Sequence, residues 1–190
     1  MLSNLRTFAA TAAAAVTLGL AGPALADGHM NPTVGGAPMY ADKPIAANAS
    51  AAPNLTTLVA AVKAAGLVDT LAGPGPFTVF APTNDAFAKL PAGTVDTLLK
   101  PENKDQLTKI LTCHVAEGVI SAENIMKTVE MGNGMATIKT LGGCDLTAMV
   151  KDGMVMLKDP KGDVATVSTA DVKQSNGMVH VIDTVMLPKM

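Results

Sequence analysis

Several groups of side chains in this 190-residue chain have the types that chemistry requires. Cys113-His114 sets a thiol next to an imidazole, the ingredients of a nucleophile and its base. His180 lies in the apolar run Met178 to Ile182 with Asp183 three residues on, and Ser168 and Ser175 supply hydroxyls upstream. Asp27-Gly28-His29 has the composition of an amino-terminal copper site, and Cys113 with Cys144 makes an even pair of sulfurs.

The catalytic readings weaken on geometry. Adjacent residues on a strand point to opposite faces, so a strand over Cys113 to Ala116 separates the thiol from the imidazole. Nothing in the spacing assigns His180 a particular serine. A lone histidine in an apolar strand reads as a core residue satisfied by a hydrogen bond, and the same holds for His114. No Gly-rich phosphate loop, HExxH helix or calcium loop is present. The expectation is a protein without catalytic residues.

The amino terminus decides how the remaining groups are read. Arg6, the apolar stretch Thr7 to Leu20 and the small residues Ala24-Leu25-Ala26 have the form of a signal peptide over residues 1–26. No cysteine lies at the junction to carry a lipid, and a single Arg6 makes no twin-arginine signal. The product is expected to be secreted or periplasmic. Cleavage after Ala26 exposes a free amine at Asp27. That amine, two deprotonated amides and the His29 imidazole fill the corners of a square plane, which suits Cu(II) or Ni(II). Met30 and Met39 add soft sulfur ligands. A periplasmic Cu(II)-binding protein using Asp27, Gly28 and His29 is therefore the alternative function; otherwise no cofactor is expected. In an oxidising compartment Cys113 and Cys144 read most simply as a disulfide, with two buried free thiols as the alternative. A bridge closing 144 − 113 = 31 residues stabilises by roughly 3.5 kcal/mol in the chain-entropy model.

Composition narrows the partners. After residue 26 the chain carries 13 Lys against 16 Asp and Glu, a net charge of 13 − 16 = −3, and no Arg, because Arg6 leaves with the signal. Without guanidinium groups and with three Phe, one Tyr and no Trp, the mature chain lacks the devices for phosphate recognition and base stacking, so nucleic acid is excluded. No later segment has the roughly 18 apolar residues of a membrane span, so no membrane insertion is expected.

The positioning elements follow. Asp27 to Pro53, rich in Gly, Pro, Ala and Asn, reads as an extended leader. Asn54 is placed to cap a helix carrying Leu55, Leu58, Val59 and Val62 and ending at Gly66, with a short helix over 67–71 after it. Gly73-Pro74-Gly75-Pro76 turns the chain into a buried strand over Phe77 to Ala81, and Thr83 or Asn84 caps the next helix. Short helices are predicted at 94–99, 104–111 and 122–126, and strands at 113–116, 135–139, 145–150, 154–157, 164–168 and 179–187. Asp152-Gly153 marks a hairpin and Asp159-Pro160-Lys161-Gly162 a turn. Helices early and strands late argue for an α+β fold in a single domain over 54–190.

Two segments, Phe77-Thr78-Val79-Phe80-Ala81-Pro82-Thr83-Asn84-Asp85-Ala86-Phe87 and Asn176-Gly177-Met178-Val179-His180-Val181-Ile182-Asp183-Thr184-Val185, resemble the signature segments of the fasciclin-like domain family. The resemblance implies a wedge-shaped β-sandwich with helices clustered at one side over about 54–187. It also implies a cell-surface adhesion or protein-interaction module whose partner is an extracellular protein or matrix component. At Cys113-His114 the family carries Tyr-His, so His114 matches as a binding-motif residue and Cys113 departs. An adhesive Glu-Pro-Asp-Ile-Met segment of some animal members is matched here only at its core, Asp171-Val172; the reading from the residues alone has Asp171 capping a turn. The segment 31–40 is similar to the leader of alphaproteobacterial members, some linked to host association.

Overall fold

The computed structural model describes residues 31–189. In chain order these form β1 (Thr33–Val34), β2 (Ala37–Pro38), α1 (Ile45–Ala51), α2 (Thr56–Ala65), α3 (Val68–Ala72), β3 (Phe77–Pro82), α4 (Asn84–Ala88) and α5 (Thr94–Leu98). A 3-10 turn (Pro101–Asn103) leads into α6 (Lys104–Thr112), β4 (Val115–Glu117), α7 (Ala122–Met131), β5 (Ala136–Lys139), β6 (Asp145–Lys151), β7 (Met154–Lys158), β8 (Val164–Gln174) and β9 (Gly177–Ile182). The layout is α+β, as the order of helical and strand patterns predicts.

Strands β4-β3-β9-β8-β7-β6-β5 lie side by side in that order, and β1 pairs with β2 apart from them. The two signature segments are neighbours: β3 and β9 run parallel, with Phe80 opposite His180. The other pairings of the large sheet are antiparallel. An isolated bridge between Ala116 and Thr140 brings the two edges of the sheet together, which removes part of the exposed strand edge.

The buried pair β3 and β9 divides the interior. Alternation sends Val79, Ala81, Val179 and Val181 into a helix-side core with Leu55, Leu58, Val62, Leu71 and Leu111. It sends Phe80 and Ile182 into a sandwich-side core with Ile125, Leu146, Ala148, Leu157, Ala165 and Val167. Strand β8 serves both. Its pairing with β9 shifts register between Val167 and Thr169 and again between Thr169 and Val172. Val167 packs in the sandwich core and Val172 in the helix core.

Three sequence expectations change. The stretch read as an extended leader is folded over its described part: β1, β2 and α1 deliver Val34, Met39, Ile45 and Ala52 into the helix-side core. The helical period was hidden because a polar residue, Asn48, occupies a core-facing position of α1. Asn48 is buried by exchanging hydrogen bonds with the Tyr40 backbone and donating to Gln174 Oε1. Cys113 is not on a strand; it ends α6, and β4 begins only at Val115. Asn54 does not cap α2. Asn84 does so from the start of α4, its Oδ1 accepting from Thr57 N–H at 3.0 Å, while its own N–H donates to Asn54 C=O at 2.8 Å.

The turn chemistry follows the sequence. Thr83 Oγ1 caps α4 through Ala86 N–H, and Ser121 Oγ caps α7 through Asn124 N–H. Asp152 and Gly153 adopt φ of 54° and 76°, the left-handed pair that joins β6 to β7 in a two-residue hairpin. At Gly177 a Cβ would strike the Phe77 carbonyl, so the parallel pairing of β3 with β9 can start only at glycine.

Candidate functional site

His114 stands just past the end of α6, where the last turn leaves carbonyls in need of donors. Its Nδ1 donates to Ile110 C=O at 2.8 Å, and its Nε2 accepts from Met186 N–H at 3.0 Å. That pair of bonds fixes the Nδ1-protonated neutral tautomer. Burial lowers its pKa from 6.5 to about 4, against the smaller opposing effects of the Ile110 carbonyl and the Asp159 charge.

His180 uses the opposite tautomer. Its Nε2 donates to Ile120 C=O at 2.7 Å and its Nδ1 accepts from Asp171 N–H at 3.2 Å. The bulges in β8 explain why it is needed: a bulge residue loses its ladder partner, and the imidazole satisfies the Asp171 donor instead. Phe80 stacks on the ring with centroids 5.6 Å apart. Burial lowers the His180 pKa, outweighing the Ile120 hydrogen bond and the nearby Asp171 charge.

Neither imidazole is therefore poised as a base. Asp183 does not pair with His180; it accepts from Thr166 N–H at 2.8 Å and meets Lys89 at 3.4 Å. Burial opposes its ionisation, but the Thr166 and Thr184 donors and Lys89 together hold its carboxyl below the usual range. Ser168 Oγ donates to Val181 C=O.

Asp171 adopts φ of 56° at the bulge and is exposed, while its Oδ1 accepts from Ala122 N–H in the first turn of α7 at 2.8 Å. It caps a helix rather than the turn expected of it. Val172 beside it is fully buried. The Asp171-Val172 pair is thus split between surface and core, and Val172, like buried His114, offers no side chain to a partner; this corrects the reading of both as contact residues. Cys113 and Cys144 form a disulfide with Cα atoms 5.3 Å apart, joining the end of α6 to the β5–β6 turn. Asp27, Gly28 and His29 lie outside the described residues. Among the described residues no cluster of three or more His, Cys, Asp or Glu side chains is arranged to hold a metal, and no helix is long and apolar enough to cross a membrane.

Sequence reasoning missed Asp159 and Asn176. Asp159 is buried, its Oδ1 accepting from the N–H groups of Lys161, Gly162 and Asp163 and its Oδ2 from Leu187 N–H. With His114 it holds the consecutive amides of Met186 and Leu187. The turn signal at Asp159-Pro160 was legible; the link to residue 187 was not. Asn176 accepts from Ile45 N–H and donates to Leu71 and Gly73 carbonyls, fastening α1 and α3 to the β8–β9 turn.

Comparison with known proteins agrees with this architecture. A FAS1 domain pair from the insect cell adhesion molecule fasciclin I superposes with a TM-score of 0.67 at 19% identity, over 76% of this chain and 51% of that one. Protein sll1483 of Synechocystis is 56% identical over 135 residues, 71% of this chain and 68% of its own. The cell surface glycolipoprotein MPB83 of Mycobacterium bovis is 40% identical over 164 residues, 83% of this chain and 67% of its own. The profile of the Fasciclin domain matches residues 53–188, and the chain belongs to that family.

Proposed function

We propose that this chain is an exported interaction module that binds an extracellular or cell-surface protein or matrix component and carries no catalytic activity of its own. The observation that carries the reading is the state of the two described histidines: both are buried, and each has both ring nitrogens bound to backbone groups. Groups held in this way support a frame, and the exposed helices and loops are left to make contacts. The similarity to a cell surface glycolipoprotein supports the same placement. Export includes cleavage after Ala26, so the mature protein begins at Asp27; its intact mass checks this. Photo-crosslinking of the mature protein to envelope and host-matrix extracts tests the interaction, and recovery of nothing above background overturns it. Covalent labelling by serine-reactive or cysteine-reactive activity probes would overturn the non-catalytic part.

A second reading rests on the sequence Asp27-Gly28-His29. A free Asp27 amine would bind Cu(II) with the Gly28 and His29 amides and the His29 imidazole. Calorimetric titration with Cu(II) decides it: equal affinities of the mature protein and its His29→Ala variant remove the site.

A further inference from the structure

Methionine is put to two uses in this fold. Met39, Met178 and Met186 are buried and fill the interior, the common role of a flexible thioether, so Met39 is withdrawn from the soft-donor part that the sequence offered it. Met149, Met154 and Met156 do the opposite. The core-facing residues of β6 and β7 are Leu146, Ala148, Val155 and Leu157, so alternation turns these three methionines outward, Met154 to 50% exposure. Register then gathers them: Met149 is the cross-strand partner of Met156, and Met154 lies two residues from Met156 on the same face, opposite Lys151. Directly paired residues hold their Cβ atoms about 4.5–5.5 Å apart and diagonal neighbours about 7–8 Å, a span that side chains with three rotatable bonds can close. Met135, one residue ahead of β5, continues the Ala136 to Ala148 register and stands on the other side of Met149, also exposed.

The solvated face of an antiparallel sheet ordinarily carries polar side chains, so a cluster of thioethers there calls for another reason than packing. Three uncharged sulfur donors occupy three corners of one cross-strand rectangle, on backbones fixed by the Asp152-Gly153 hairpin. Thioether sulfur is a soft ligand, which suits Cu(I) and ions like it, whereas Mg²⁺ and Ca²⁺ require oxygen. The fourth corner is Lys151, whose ammonium repels a divalent ion twice as strongly as a monovalent one at the same distance. Softness and charge together select a soft monovalent cation. No thiol competes for it among the described residues, because Cys113 and Cys144 are joined.

We propose that the thioethers of Met149, Met154 and Met156 form a surface site for Cu(I). It differs from the Asp27 terminus in position, donor atoms and the oxidation state of the copper, and it depends on neither function proposed above. The test is calorimetric titration with Ag(I), a soft monovalent ion that undergoes no redox change on binding, in chloride-free buffer. The mature protein carries His29→Ala throughout, so that the terminus does not contribute. Saturable one-to-one binding is expected, and Cu(I) supplied anaerobically should displace the Ag(I) while excess Mg²⁺ should not. Met156→Leu, which keeps the volume and apolar character of the side chain but removes the sulfur, should weaken binding at least about tenfold, since even the residues behind a metal ligand are worth that much. Replacing all three with Leu should abolish binding. Loss of affinity in Met135→Leu would add a fourth ligand and no change would leave three; both support the site. NMR of methyl-labelled methionine gives a readout that needs no substitution among the ligands: one equivalent of Ag(I) should shift the Met149, Met154 and Met156 signals and leave those of Met178 and Met186 in place. Absence of saturable binding, undiminished binding by the triple Leu variant, or shifts confined to other methionines would overturn the proposal.

Discussion

On the sandwich side of β3 and β9, Phe80, Leu146, Leu157 and Ile182 are closed off from solvent completely. On the helix side, Leu58, Val62 and Leu71 are buried nearly as deeply yet border a slot that their own side chains do not fill. The two cores share strands but not packing. Sheet pairing holds the sandwich side at a fixed spacing, so facing side chains must interdigitate. The helix side is assembled from α1, α2 and α3, of which α1 and α3 are two turns or shorter and are fastened to the β8–β9 turn through Asn176.

Truncating the same residue type on each side is the sharpest test of that difference. Leu157→Ala should cost about 4 kcal/mol, because the sheet around it cannot collapse into the hole, whereas Leu58→Ala should cost about 2.5 kcal/mol, since part of its surroundings is already open. Urea unfolding followed by circular dichroism measures both. Equal losses would mean that the two cores are packed alike.

The disulfide joins the two sides, running from the end of α6 to the β5–β6 turn across 31 residues. Replacing both Cys113 and Cys144 with Ala should destabilise by about 3.5 kcal/mol through the freed loop entropy. Amide exchange should rise at the β5–β6 turn in this variant before it rises within β7 or β8. Uniform acceleration everywhere would show that the bridge acts on the whole fold and not on the junction.

His114 lies at the same junction, lining the slot while holding Met186 of the sandwich core. Its folded pKa of about 4 lies below the unfolded 6.5, so the unfolded chain binds the proton first as the solution is acidified. The stabilisation is complete above pH 6.5, falls between 6.5 and 4, and the loss levels off below 4 at roughly 3 kcal/mol. His180, whose pKa is also lowered, acts in the same direction. Equilibrium unfolding across this range should show a shallower pH slope for His114→Gln, which can still donate and accept but does not titrate. An unchanged slope would assign the acid sensitivity to His180, whose pKa is lowered by burial, rather than to His114.

What the sequence made legible and what it hid divide along range of interaction. The Asp152-Gly153 hairpin, the Thr83 cap and the strand character of Phe77 to Ala81 depend on neighbours within a few residues, and each formed as read. The internal use of His180 was also accessible, because apolar neighbours on a strand leave a histidine no other place, whereas its pairing with Phe80 across two distant segments was not. Helix α1 was not accessible: its core position is held by Asn48, and only Tyr40 and Gln174, 8 and 126 residues away, make an amide acceptable there. Asn84 capping α2 and Asp159 reaching Leu187 failed for the same reason, since a polar side chain names its bond but not its partner.

Asp171 sits where β8 passes from one core to the other, and it gives the smallest effect and the most discriminating one. Its carboxylate caps α7 through Ala122 N–H, and its φ of 56° suits Asp or Asn better than residues without a short polar side chain. Asp171→Ala should therefore cost about 1–2 kcal/mol, combining a lost cap with left-handed strain. Asp171→Asn keeps an acceptor and tolerates the backbone, and should stay within about 0.5 kcal/mol of the unsubstituted protein. The Asn variant then separates frame from contact. If it unfolds normally in urea but loses the crosslinked partner, the exposed carboxylate touches that partner directly. If partner capture falls only in the Ala variant, in step with stability, Asp171 serves the junction between the cores and the contact surface lies elsewhere.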